Sequence, residues 1–334
     1  MNTRAAAAVP TLARAIVAVD FAEPSQTAAE WAARYLMGVK LTFVHVVDIP
    51  EPPSFLGRSI PGSAQLQLNA RRGAEERLEE FCHAIGARAS AREVRTGPAA
   101  VELTAAAIAQ QADLIVVGNH GRRTGAKRYL GSTADRVLRT ANVPVLLVRP
   151  SADRPPRTVL CAIDDSALAA PVLAWTTLLA RRFKAAAMVV HAIEPTVSGA
   201  VRMGTVSLDS ERALKTLQHD AERWLAERTA PLKAAHVPVS TRAVFGDSGA
   251  AVITEAKRAG ADIIVLARRG AGRAARLLMG STSHRVVRQS DRTVLLIPEP
   301  AYAIRLARRG SCASSPYPRA RGCGSGTGRG PGVS

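Results

Sequence analysis

Aromatic residues make up only 4% of this 334-residue sequence, and cysteine occurs only 4 times. So few rings cannot supply the stacking platforms that hold single-stranded nucleic acid. Cys82, Cys161, Cys312 and Cys323 show no CxxC spacing, which argues against a zinc or disulfide framework and suits reduced thiols in a cytoplasmic protein. Cys161 lies inside the apolar run 159–163 and reads as a small core residue. No apolar stretch approaches the roughly 18 residues of a membrane helix, and residues 1–9 are too weakly apolar for a signal-peptide core. His45, His120 and His191 have no second ligand at metal-site spacing, so no metal site is expected. A P-loop is also missing: residues 121–127 read GRRTGAK, without the four-residue gap and the closing Lys-Ser/Thr.

Acid is scarce above all at the end of the chain. Residues 301–334 hold six arginines and no acid, and so carry +6 of the net +18. With Gly, Ser and Pro making up much of the rest, this segment has too little to bury and is expected to be a disordered basic tail. Elsewhere the arginines are mixed with acids on helical stretches such as 71–80 and 211–228, the pattern of a solvated face. Nucleic acid and membranes are therefore not expected partners.

What is present is a duplication. The pattern Gly118-x2-Gly121-x9-Gly131-Ser132 returns 149 residues later as Ala267-x2-Gly270-x9-Gly280-Ser281. AIVAVD at 15–20 aligns with VLCAID at 159–164, Trp31 with Trp175, FVHV at 43–46 with VVHA at 189–192, and VLLV at 145–148 with VLLI at 294–297. The organisation read from this is an extension over 1–12, a domain over 13–150, a linker over 151–156, a second domain over 157–300 and the tail over 301–334.

In each repeat, β-rich runs alternate with longer helical patterns. Strands are expected near 15–19, 41–47, 90–95, 113–118 and 143–148, and near 158–163, 187–192, 238–244, 261–266 and 293–297. Helices are expected near 25–37, 64–86, 98–111 and 131–140, and near 167–182, 207–235, 248–259 and 280–290. Runs such as LIVV at 114–117 are apolar on both faces, which only a strand buried between helix layers requires. The expected fold class is α/β, with two tandem doubly wound parallel five-stranded sheets. The strand order of a flavodoxin-like sheet puts Asp20 and the glycine motif on one crevice. The Pro- and Gly-rich segments 49–62 and 194–204 are read as loops over it.

Both copies of the glycine pattern leave a strand and end where a helix begins. Glycine there allows positive φ and close ligand approach, and Gly-Ser at a helix start offers N–H groups to an anion. Together with Asp20 in VAVDFAEPS, HVVD at 45–48 and the closing VPVLLVRP at 143–150, this signature resembles the universal stress protein family of adenine-nucleotide binders across residues 12–300.

The resemblance implies a flavodoxin-like or adenine nucleotide alpha hydrolase-like fold and a site for ATP, with Mg²⁺ as its companion. In the first repeat Asp20 would meet ribose hydroxyls or Mg²⁺, and Val44 and Val46 would wall the adenine. Gly118, Asn119, Gly121, Arg122, Gly131, Ser132 and Thr133 would hold phosphates. The second site would be Asp164, Gly270, Gly280, Ser281 and Thr282. It is expected to be weaker, because Ala267 puts a methyl group where phosphate would meet the backbone.

Read one at a time, Asp20 could instead cap the following turn, and Ser132 or Thr133 could be an ordinary N-cap. No general base is placed to activate water, so a nucleotide-dependent stress sensor or adaptor is expected, with at most weak ATP hydrolysis. A slow metal-dependent ATPase or phosphotransferase and a nucleotide-independent interaction module remain the alternatives. The resemblance also implies an intramolecular pseudo-dimer through the last strand of each repeat, with a homodimer as a further candidate. Deleting residues 301–334 should leave the thermal midpoint within about 2 °C of the full chain, because the segment has little apolar surface to contribute; a loss of many degrees would show that the tail docks on the body.

Overall fold

The computed structural model describes residues 10–48, 63–88, 90–119, 130–150, 154–194, 208–269 and 279–299. The tail, most of both crevice loops and the site candidates Gly121, Arg122 and Gly270 lie outside the described residues.

The first repeat runs β1 (Arg14–Val19), α1 (Glu23–Tyr35), β2 (Lys40–Val47), α2 (Ser63–Ala84), β3 (Ala91–Thr96), α3 (Ala99–Ala109), β4 (Leu114–Gly118), α4 (Ser132–Thr140) and β5 (Val145–Val148). The second runs β6 (Thr158–Ala162), α5 (Ala169–Phe183), β7 (Ala186–Ile193), α6 (Leu208–Arg228), α7 (Ala230–Ala234), β8 (Val239–Phe245), α8 (Ser248–Arg258), β9 (Ile263–Ala267), α9 (Ser281–Gln289) and β10 (Thr293–Ile297). The single helix expected over 207–235 divides at Thr229. Pro231 has no N–H to return to the preceding turn and its ring crowds that turn's carbonyl, so one continuous helix cannot pass. Thr229 is fully buried at the break, and its hydroxyl donates to the Ala226 carbonyl at 3.0 Å.

The strands lie in the order β3-β2-β1-β4-β5-β10-β9-β6-β7-β8. Pairing is parallel within each repeat, and strand order reverses between β1 and β4 and again between β6 and β9. At the centre β5 meets β10 antiparallel, with Leu146 opposite Leu295, so the two five-stranded halves are continuous. A last strand left unpaired would expose a row of N–H and C=O groups; here each repeat's last strand covers the other's.

Alternation along the strands divides the core into two layers. Leu114, Val116, Leu146 and Leu295 face a layer with Trp31 of α1, Leu78 of α2, Trp175 of α5 and Leu225 of α6. Ile115, Val117, Leu147 and Leu296 face the opposite layer, with Leu103 of α3, Val137 of α4, Val252 of α8 and Val286 of α9. Both layers cross from one repeat into the other. Trp31 meets Phe183 edge-on with ring centroids 6.0 Å apart, and Arg182 donates to the carbonyls of Tyr35 and Met37 at the end of α1. Leu295 is 1% exposed at the middle of this junction. Leu295→Ala should cost about 2–5 kcal/mol, and calorimetry should show one transition for the whole chain; two separate transitions would show that the halves fold independently.

Candidate functional site

In an open parallel sheet, ligands collect at the carboxyl ends of the strands where the order reverses, because the helices diverge there and leave a crevice. In the second repeat the ends of β6, β7 and β9 and the first turn of α9 surround a cleft of roughly 570 Å³. Asp164, Gly280, Ser281 and Thr282 all line it, so four of the residues singled out in the sequence share one space. Ala192, Val252 and Leu266 supply an apolar wall, and Arg269 adds a cation.

The first repeat repeats the plan. Asp20 follows β1, and Gly118 ends β4 opposite Val148. Val46 is half-buried on β2 at the place of Ala192, with Val44 fully buried beneath it. Gly131, Ser132 and Thr133 open α4. The backbone closes both loops in the same way: Gly131 N–H donates to Asn119 O, and Gly280 N–H to Arg268 O, each at 2.9 Å. Asn119 is fully buried, and its side-chain amide has no hydrogen-bond partner among the described residues.

The starts of α4 and α9 differ from that of α8. Gly131 and Gly280 are N-caps with extended backbone, φ −64° and −60°, and bring no side chain to the unpaired N–H groups. Asp247 caps α8 from within, its carboxylate accepting from Ala250 N–H at 2.8 Å. Bonds from Ala250, Gly249 and Arg285 to the ionised form hold the Asp247 carboxyl below its usual range. Thus α9, whose first turn lines the cleft, has no side-chain cap from its N-cap residue, while α8 is capped by Asp247.

Asp20 and Asp164 each shape a turn. Asp20 Oδ1 accepts from Ala22 N–H at 3.0 Å, and Asp164 Oδ1 from Ser166 N–H at 3.2 Å. This is the turn-capping role open to Asp20 from the sequence, and it leaves both carboxylates at the crevice. Other residues at the site went unassigned in the sequence. His45 Nδ1 donates to Val19 O at 2.8 Å and His191 Nδ1 to Ile163 O at 2.9 Å, pinning the second strand of each repeat beside the aspartate. Their shared position in the duplicated FVHV and VVHA runs was the available signal. Glu194 accepts from Ser248 Oγ at 2.7 Å across the cleft, and Ser283 Oγ donates to Ala267 O at 2.6 Å, tying α9 to the end of β9. Neither pair has a duplicated polar pattern to reveal it.

The reason for Gly118 is corrected by the structure. It is not among the glycines with positive φ, and Gly131 and Gly280 are extended. A Cβ at Gly118 would stand 2.5 Å from Pro24 O and 2.9 Å from Ser25 N in the first turn of α1. The missing side chain lets α1 approach β4. In the second repeat α5 starts at Ala169, two positions later in the repeat register than α1, and Ala267 is accommodated. Ala267 is likewise not among the residues with positive φ, so the conformational part of the ground for a weaker second site falls away.

Each repeat is thus a doubly wound α/β unit with a crevice at its switch point and a helix start, α4 or α9, whose N-cap glycine brings no side chain to it. The family model described as the universal stress protein family matches residues 12–149 and again 156–298, and the chain belongs to that family. Two universal stress proteins of Mycobacterium tuberculosis are 28% identical over 296 residues; the matches cover 81% and 85% of this chain and 92% and 96% of theirs. A crystal structure of a universal stress protein from Archaeoglobus fulgidus superposes with a TM-score of 0.60 at 20% identity, covering 85% of this chain and 98% of its own. Among the described residues no helix is long and apolar enough to cross a membrane.

The packing reason for Gly118 makes a prediction that needs no ligand. Gly118→Ala should destabilise the protein by about 1–3 kcal/mol in denaturant titration, as overpacking does, whereas Ala267→Gly should change stability by less than about 1 kcal/mol. An unchanged Gly118→Ala protein would remove the contact with Pro24 as the reason.

Proposed function

We propose that each repeat binds an adenine nucleotide, ATP being the candidate, and that the tandem chain works as a nucleotide-dependent sensor or adaptor in the stress response. The observation that carries this is the start of α9, which opens without a cap onto a cleft walled by Ala192 and Leu266. An apolar wall suits a purine face, the N–H groups and the Ser281 and Thr282 hydroxyls suit phosphate, and Asp164 suits ribose hydroxyls. Asp164 and Glu194 would be the oxygen donors for a Mg²⁺ carried in with the phosphates, a cation that neutralises phosphate charge. Asp20, Gly118, Gly131, Ser132 and Thr133 take the equivalent places in the first repeat, with Gly121, Arg122 and Gly270 assigned by the motif. Family membership supports the same reading.

Binding without efficient turnover is the preferred form of this proposal. Of the carboxylates lining the cleft, Asp164 accepts from Ser166 N–H and Glu194 from Ser248, bonds that orient both along the rim and leave acceptor sites for the cation role. A general base must instead be placed to take a proton from the attacking water. The β5–β10 junction supports an intramolecular pseudo-dimer in which both sites belong to one sheet.

Charge at the helix start tests the reading. Ser281→Asp and Ser132→Asp put an anion where the helix itself is stabilised by one, yet where a phosphate would be repelled. Each should leave the thermal midpoint intact and weaken ATP binding at its own repeat about tenfold or more by titration calorimetry, since an opposed charge costs more than about 1.4 kcal/mol in a partly enclosed site. Unchanged affinity in both would overturn the site assignment.

A further inference from the structure

Consecutive residues at the end of β9 serve different halves of the molecule. Arg268 Nη1 donates across the junction to Ala141 O at 2.8 Å, and Ala141 is the C-cap of α4 in the first repeat. Arg269, the next residue, lines the second cleft and is 8% exposed; its guanidinium pairs with Glu299 at 3.1 Å. The opposite end of α4 is the uncapped start at Gly131–Ser132. One short helix therefore has a nucleotide-site residue of its own repeat at one end and a guanidinium from the rim of the other site at its far end.

A second link runs the other way. Arg149, 3% exposed, follows Val148, the residue paired with Gly118, and donates through its guanidinium to Val287 O in the last turn of α9. The start of α9 lines the second cleft. Burial lowers the pKa of Arg149 to about 10, and Arg268 is lowered for the same first reason, so both cations are drawn out of water to make these contacts. Each contact suits its place, since cations favour helix carboxyl ends. The arrangement is lopsided: the counterpart of Arg268 is Asn119, whose buried amide has no partner among the described residues.

We propose that Arg268 and Arg149 couple the two clefts, so that the position of the phosphate-binding helix of one repeat sets the geometry of the other repeat's site. This rests on the nucleotide reading for its ligand, but the mechanical link does not. Both helices are short and clamped at their far ends, so a ligand anion seated at one start bears on a helix whose other end is held by the opposite half. By linkage, the effect of one site on the other is reciprocal.

Hydrogen–deuterium exchange on the full chain tests the link without ligand. Arg268→Met should raise exchange about fivefold or more in the first turn of α4 and also at residues 279–282, with β2 as an unchanged internal reference, and Arg268→Lys should keep most of the protection. Increases confined to residues 139–141 would overturn the coupling, as would equal loosening of β2 in both variants, which is a general loss of stability. ATP titration then separates the two readings. In the unaltered protein, filling one site should shift affinity at the other about fivefold or more, and Arg268→Met should abolish the shift. Two independent sites in the unaltered protein would overturn the coupling alone. The expected exchange pattern with no ATP bound would overturn the nucleotide reading and leave the coupling standing.

Discussion

Three residues of β5 pair with three of β10, Val145 with Leu296, Leu146 with Leu295 and Leu147 with Val294, and both core layers continue across that short antiparallel contact. The pairing works because both strands are apolar on both faces and each is the last strand of its half. An approximate two-fold relation between the halves follows, and with it the position of every cross-junction contact. Trp31 reaches Phe183 from the layer on one face, while Arg149 and Arg268 reach helix ends on the other. A tandem repeat thereby becomes one sheet whose two crevices share a frame.

The site is a consequence of what the helices leave undone. An α-helix start has N–H groups without internal partners, and a protein either caps them or offers them outward. The second repeat does both within one cleft. Asp247 caps α8, and Glu194 accepts a further bond from Ser248 there, while the N-cap of α9, Gly280, has no side chain to offer. On the proposed reading, an external anion goes to one helix end and not the other. The paired histidines serve this arrangement indirectly, since each fastens a second strand to the first beside the aspartate that the crevice needs.

Much of the architecture was readable because it depends on local pattern. Strands buried between helices must be apolar on both faces, so LIVV and IIVL announced themselves twice, and the duplication supplied an internal check on every element. The break at Thr229 was missed although its cause, Pro231, stood in plain view, because the helical pattern is strong on both sides of it. Asp164, Gly280, Ser281 and Thr282, named from the duplication and the family resemblance, line one cleft, whereas Glu194, Ser248 and Ser283 were not named. Their partners lie 54 and 16 residues away, and such separations carry no periodic signal.

The sequence by itself determined the class of fold, the number of repeats and the placing of the motif between a strand and a helix, since each follows from periodicity, length and repetition along the chain. Tertiary structure alone decided why Gly118 is glycine. Its neighbour is the Pro24 carbonyl, brought within 2.5 Å of a notional Cβ by the approach of α1 to β4, and that approach is set by packing across the whole layer. Tertiary structure alone also decided that Arg268 and Arg269, adjacent in sequence and alike in chemistry, part company. One caps a helix in the opposite repeat and the other lines its own cleft, because the end of β9 lies beside the junction and beside the crevice at once.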